Sequence, residues 1–539
     1  MQPSSDSSET EQFTLPRGIL RALLNRRTFR ISLFCLVCLV TLTSLFYAVE
    51  DWRGKQAWEK FKSAWEARGE GFDAQAVIPK PVPPEKNFAM TPFLAPLLDY
   101  QYAGQPSWVI WRDSNAVARA QEIGVVHSTA GKNLPYWQIW ARGAFTDLTE
   151  LQTQYRASTN FPSTTQSQGP ARDILTALSK YDSVFTELRR ASTLPYSVFP
   201  VHYDEGDSAL AVHLAVLKHL SDVLLIRAVA YLATEQTTGA LADLELVFYL
   251  AESVKSEPLL ISQLVRNRIL ETAMQPVWEG LAKHQWTAPQ LEQLQTRLAS
   301  IQLFEDYGKT MRGERAFGNQ LAVRLRAGNF STPNLVGRDV HFSRTEPDHT
   351  LALIAKIAPR GWIYQNQLLL NKIYAEKTLP AIDAARHRVY VGLCKEAVES
   401  PELAQPGVFN RLARLFFPAL ANVAPKFAHG QTVTDLAMLA CALERYRIAE
   451  DQYPEKLGSL VPRFIASIPA DVINGEPLKY RRTYDGQFVL YSVGWNEKDD
   501  QGEIALSESK SFVDYDAGDC VWRPCGWAGI SEGIKLAGQ

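Results

Sequence analysis

The sequence predicts a mainly α-helical chain: a single N-terminal transmembrane helix, a repeat-like helical body and a small C-terminal α+β module. Three observations carry this. Residues Ile31 to Val49 form an apolar run without a charge. Leucine and alanine recur at helical spacing through residues 208–303. After residue 450 the pattern changes to turn-bounded alternation. The chain has 539 residues, 46% hydrophobic and 21% charged. That is too long for one ordinary domain and too apolar for disorder. A net charge of −2 argues against nucleic acid as the main partner.

Residues 1–30 read as a polar, basic cytoplasmic tail and residues 31–49 as the span. Nineteen residues at ~1.5 Å each reach ~28 Å, about the hydrocarbon thickness of a bilayer. Arg17, Arg21, Arg26, Arg27 and Arg30 precede the run, and Glu50 and Asp51 follow it. The positive-inside rule then leaves the N-terminus in the cytoplasm and the bulk of the chain extracytoplasmic, on an inner-membrane anchor crossing once. A cleaved signal peptide fits less well, because the run is long and no small-x-small site follows. Cys35 and Cys38 lie within the span, where CxxC spacing is not a redox motif.

Residues 50–100 read as a juxtamembrane helix followed by a Pro-rich linker. Trp52, Trp58 and Trp65 repeat near helical spacing, and Trp52 falls where an interfacial aromatic anchors. Prolines 79, 81, 83 and 84 predict an extended spacer lying along the folded body.

Residues 101–430 read as the helical body. Leu210, Leu214, Leu217, Leu224, Ala228 and Tyr231 share one helical face, and Leu241, Leu244, Phe248 and Ala251 a second. A third helix is expected from near Pro258, ended or kinked at Pro276. A fourth starts at Thr287, with Gln290 completing a capping box. Connections as short as "TEQTTG" imply antiparallel neighbours. The stretch "IRAVAYLATEQTTGALADLELVFYLAES" resembles a tetratricopeptide-type helix pair, and such solenoids bind protein segments on a concave face. A polar loop is expected near 328–349.

Residues 431–539 read as the α+β module. Thr432 or Thr434 caps a helix carrying Leu436, Leu439, Leu443 and Tyr446. Tyr453-Pro454 stops it, "PEKLGSLVP" makes a short second helix, and Asp485-Gly486 predicts a two-residue hairpin turn between strands. Cys520 and Cys525 bracket "VWRP" and could pair in an oxidising compartment. The run "ALERYRIAEDQYPEKLGSLVP…IPADVINGEPLKYRR…DGQFVLYSVGWNEKDDQGE" resembles the globular part of the major pseudopilin of type II secretion, over about residues 431–522. The matching positions are Leu443, Tyr446, Tyr453, Pro454, Leu457, Leu460, Pro469, Asp471, Gly475, Tyr480, Ser492 and Gly494. Two departures stand out: nearly 400 residues separate span from module, and Pro16, Arg17 and Arg21 spoil a pilin-type leader. The whole chain is similar to membrane-anchored bacterial proteins without an assigned function.

The resemblance implies a calcium loop. Asn496 occupies the family's first aspartate position, and Asp499, Asp500, Asp514 and Asp516 are nearby oxygen donors. Asn496 removes one charge, and Gln501-Gly502 replaces the family's Gly-Gly. Apart from this possible Ca2+ no cofactor is expected.

No catalytic constellation emerges. GxSxG and HExxH are missing, and "GVVHSTAGKN" has the wrong spacing for a phosphate loop. His213 and His219 lie six apart, which is not metal-ligand spacing. Arg312, Glu314 and Arg315 read as a structural or solvated ion pair. The expected function is therefore binding or scaffolding at the cell envelope: the lipid bilayer contacts residues 31–49, a protein is the other partner, and nucleic acid is not one. The alternatives are a subunit or adaptor of a secretion or pilus-like assembly, and an envelope hydrolase with a site assembled from scattered residues.

Overall fold

The computed structural model of the chain describes residues 26–102, 109–125, 139–203, 211–328, 356–415, 422–507 and 513–524. The architecture rests on helices α1 (Arg26–Glu66), α2 (Val212–Ala233), α3 (Thr237–Glu252), α4 (Leu260–Ala282), α5 (Ala288–Ala299), α6 (Leu303–Ala327), α7 (Arg360–Ile373), α8 (Val391–Val398) and α9 (Val423–Glu450). Strands β1 (Lys479–Arg482), β2 (Phe488–Ser492) and β3 (Cys520–Trp522) form one antiparallel sheet in that order. The chain is mainly helical, with one long apolar N-terminal helix.

The first half of α1 has no polar face. Phe34, Leu39 and Leu42 are exposed, and the helix is long and apolar enough to cross a membrane. The second half is fastened to α7. Gly54 and Gly361 let the two backbones touch: a Cβ on Gly361 would lie 1.9 Å from the carbonyl oxygen of Glu50. The Asp51 carboxylate accepts the Gly361 N–H at 2.7 Å, satisfying a first-turn donor of α7 that has no partner within its own helix. The Trp362 indole donates to Glu50 at 3.0 Å. Arg312 and Arg315 of α6 then grip Glu70 at 2.7 and 2.6 Å, so this basic pair is structural.

The Pro-rich linker does lie along the body, but not as an extended strand. It forms short 3-10 turns at Pro84–Lys86, Phe88–Met90 and Ala95–Leu98. Phe88, Leu94 and Leu97 are fully buried, and Asn87 exchanges two hydrogen bonds with the backbone of Val198.

Helices α2, α3 and α4 pack on one another, with three residues between α2 and α3. The Arg266 guanidinium, with no solvent exposure, ties α4 to Glu252 of α3 at 2.6 Å and to Asp306 of α6 at 2.8 Å. His213 is likewise structural, paired with buried Glu257 at 2.8 Å. Pro276 does not end α4, which continues to Ala282. Helix-breaking costs about 3 kcal/mol, and burial of Met274, Val277, Trp278 and Leu281 on both sides of the proline outweighs it. The Thr287–Gln290 capping box forms as expected. The residues of the expected polar loop fall almost entirely outside the described segments.

Helix α9 starts at Val423, so Thr432 and Thr434 are buried mid-helix residues, not caps. The Thr434 hydroxyl donates back to Gly430 O at 2.8 Å, the alternative such residues take inside helices. The boundary expected at 430/431 therefore falls inside one helix. One hydrophobic core runs without a break from the linker to Trp522. The helix ends at Asp451, which is left-handed at φ 58°. The chain turns back, and the Tyr453 hydroxyl donates to Glu444 at 2.6 Å. Tyr480 of β1 donates to Pro454 O at 2.6 Å. "PEKLGSLVP" contains only a 3-10 turn, Leu457–Leu460. The hairpin turn is longer than expected: Thr483 and Gln487 are bonded across Tyr484-Asp485-Gly486, with Gly486 at φ 81°. Strand β2 is buried on both faces, because Val489 and Tyr491 pack with Val521 on the side away from the main core. Cys525 lies outside the described residues, and Cys520 is a buried free thiol.

Candidate functional site

The residues expected to bind calcium do not converge as a ligand set. The Asn496 amide nitrogen, not its oxygen, faces Asp500 at 2.8 Å and Ala517 O at 3.0 Å. Asp499 accepts from the Tyr491 hydroxyl at 3.0 Å and the Gln501 N–H at 2.9 Å. Asp514 accepts the Asp516 N–H at 3.0 Å. Calcium takes six to eight oxygens in one shell. Among the described residues no three His, Cys, Asp or Glu side chains come together to hold a metal ion. A residue outside the expected set closes this loop: buried Asp519 accepts the N–H groups of Gly502 at 2.7 Å and Asp500 at 3.2 Å. Burial pushes the Asp519 carboxyl up to about 6, against the pull of those two donors.

Chemistry gathers instead in a cleft of about 800 Å3 behind that loop. Two helices supply its floor. On α4, Leu264, Arg268 and Glu271 recur at three- and four-residue spacing and share a face. Asn422, just before α9, and Lys426 and His429 on it follow the same spacing. Cys394, Lys395 and Glu399, on and just after α8, form one side, and Trp495 and the segment Val513–Asp516 form another. The helices meet closely because Gly430 has no side chain; its Cα packs against the Asn267 side chain, whose nitrogen donates to Lys426 O at 3.1 Å.

The electrostatics are unusual for a surface feature. Burial pushes Glu271 up to about 7, although Arg268 and Lys426 pull it down. Burial likewise lowers Lys426 and Arg268, with Glu271 opposing in both cases. His429 is pushed down to about 4 by burial, so its ring is neutral near pH 7. That ring lies 3.7 Å, centroid to centroid, from Tyr515, and its Nδ1 is 3.9 Å from Cys520 Sγ. The pair is not an activated nucleophile. Burial raises the Cys520 thiol far above its ordinary value, whereas a reactive cysteine needs the thiolate. Glu271 is the group poised to take or release a proton near neutrality, and perturbed groups in a cleft mark functional sites.

The sequence reading missed this site. Arg268 and Glu271, and Lys426 and His429, each carry an i, i+3 signal. Nothing in the spacing says that two helices about 155 residues apart face each other. No protein-family profile, curated protein or solved structure matches this chain, so the chemistry of the cleft rests on its geometry.

Proposed function

We propose that the chain is a membrane-anchored, extracytoplasmic binding or scaffold protein of the bacterial cell envelope. It is non-catalytic and holds a segment of a partner protein in the cleft. The basic tail stays in the cytoplasm, residues 31–49 cross the inner membrane, and the rest lies outside. The cleft carries this reading: at about 800 Å3 it falls within the range of ligand sites. Its Trp495, Tyr515, Lys395 and Glu399 offer aromatic and charged contacts of the kind peptides use. Short-connected helices α2 to α4 support a repeat-like, tetratricopeptide-type body, whose relatives in architecture bind protein segments.

The pseudopilin-like pattern of residues 431–522 supports a second reading, an adaptor of a type II secretion or pilus-like assembly. A third, an envelope hydrolase, draws on Glu271 and His429 in the cleft. It is weaker because neither residue touches an activated nucleophile among the described residues.

The test places a photo-crosslinking amino acid at Lys395, on the exposed rim, in the full chain in native membranes. A discrete partner adduct is expected, lost in Lys426→Glu and not formed from the same group at Tyr484, which is 99% exposed on the distant hairpin turn. Secretion components in the adduct select the adaptor reading. If Lys395 gives no adduct, or Lys426→Glu leaves it unchanged, the cleft is not the binding site.

A further inference from the structure

We propose that the folded body docks on the bilayer through a second, lipid-facing patch made by Ile357, Trp362 and Phe409. The body then lies flush on the membrane surface. This inference rests on the proposed anchor at residues 31–49.

Helix α1 continues for 17 residues beyond Val49, about 25 Å at the helical rise. Taken alone, that length is a stalk that holds the body clear of the membrane. The contacts show otherwise. Helix α7 and the residues before it pack back along α1 to the level of the span itself. The Tyr47 hydroxyl donates to the carbonyl of Ile357, and the Phe46 and Trp362 rings meet edge to face at 6.4 Å. Phe46 and Tyr47 both belong to the uncharged run. Counting from Val49, they lie only about 3 to 5 Å inside its outer end. Body residues that touch them sit at headgroup depth.

The side chains at that depth suit it. Ile357 is 60% exposed and Phe409 38% exposed, and Phe409 stacks edge-on against Trp362 at 5.5 Å. Trp362 therefore lies between a span residue and a body residue, with its indole N–H given to Glu50. An aromatic ring with a satisfied polar edge is what the membrane interface favours. Lys356 and Arg360, both exposed, flank Ile357 and are long enough to reach phosphate while their stems stay in the apolar layer. A protein occupant would have to share this patch with the acyl chains around Phe46. Continuity with the span makes lipid the occupant.

The experiment uses the full chain in vesicles of phosphatidylethanolamine and phosphatidylglycerol. Benzoylphenylalanine replaces Phe409 in one variant and Ile357 in another, with Leu39 and Tyr484 as reference positions. Irradiation is expected to give lipid adducts at Leu39, Phe409 and Ile357 and none at Tyr484. Adducts at Leu39 without any at Phe409 or Ile357 would overturn the docking while the anchor stands. No adduct at Leu39 would show instead that the anchor reading fails. Using two patch positions keeps the test open if one variant does not fold.

Discussion

Glu271→Gln is expected to stabilise the protein above neutral pH and to do so in a pH-dependent way. The folded carboxyl is pushed from its ordinary 4.5 up to about 7. The native state therefore holds a proton that the unfolded chain releases between those values. Its favourable contribution is fully present below pH 4.5 and is lost as pH rises to about 7. At ~1.4 kcal/mol per pH unit the loss is about 3 kcal/mol. That is an upper bound, since the carboxyl opens onto the cleft, where solvent screens it; the attraction of Arg268 and Lys426 is already contained in the value of about 7. Glutamine removes the ionisation and keeps the volume. Urea unfolding of the full chain in detergent micelles, followed by tryptophan fluorescence at pH 4, 6 and 8, measures the difference. The variant should match wild type at pH 4 and exceed it at pH 8. A gap that is the same at all three values, or a less stable variant at pH 8, refutes the burial argument. A stabilising change at this position is also the signature of a group kept for function at the expense of stability.

Burial raises Glu444, but hydrogen bonds from His284, Arg447 and Tyr453 outweigh it and hold the carboxyl at about 2. Glu444→Gln should destabilise by about 3 kcal/mol at pH 7, and the gap should close as pH falls from 4.5 towards 2 in the same urea assay. Gly361→Ala drives a Cβ to 1.9 Å from the Glu50 carbonyl. It should cost about 1–3 kcal/mol and expose the joint between α1 and α7 to limited proteolysis; unchanged cleavage would mean that the joint is loose already. Millimolar calcium against chelator should leave the thermal midpoint unmoved, because Asn496, Asp499, Asp500 and Asp514 each accept from a protein donor and Asp516 offers only its carboxylate; a calcium-dependent rise would support the metal loop.

The elements with a strong local signal were legible in the sequence. The uncharged run at 31–49, the Thr287 capping box and the place of the hairpin turn at Asp485-Gly486, though not its length, each depend on neighbours within a few residues. Errors came where tertiary packing outweighs a local rule. Thr432 and Thr434 are cap-type residues in the middle of a buried helix, and of the two outcomes expected at Pro276 the helix end is removed, since α4 runs on to Ala282. The cleft was illegible for a different reason. Glu271 is an unremarkable carboxylate until α9 and the Val513–Asp516 segment cover it. Its proton affinity comes from burial by residues more than a hundred positions away. The acidic loop shows how little sequence proximity says about shared geometry: Asp499 accepts from the Tyr491 hydroxyl and the Gln501 N–H, Asp500 from the Asn496 amide and Asp514 from the Asp516 N–H.

The course of α9 also decides how the C-terminal region should be tested. Removing residues 431–539 looks like the direct way to ask what that region does. The cut, however, passes through a helix whose buried face runs from Val423 to Glu444. It would strip Leu436, Leu439 and Leu443, all at zero exposure, from their contacts with α4, α5 and α6. Burying one such leucine is worth about 1.5–3 kcal/mol, and whole domains hold only about 5–15 kcal/mol in reserve. The truncated chain should therefore lose its body together with its C-terminal strands. Failure of that variant to bind a partner would say nothing about which part makes the contact. Lys426→Glu leaves the buried face of α9 in place and changes only the cleft, so loss of binding there is informative. Circular dichroism separates the cases: the truncation should lose far more helical signal than the residues removed account for, and Lys426→Glu should lose none. A truncation that kept the helicity of the remaining chain would show that the body folds without the second half of α9, and the single-core reading would be wrong.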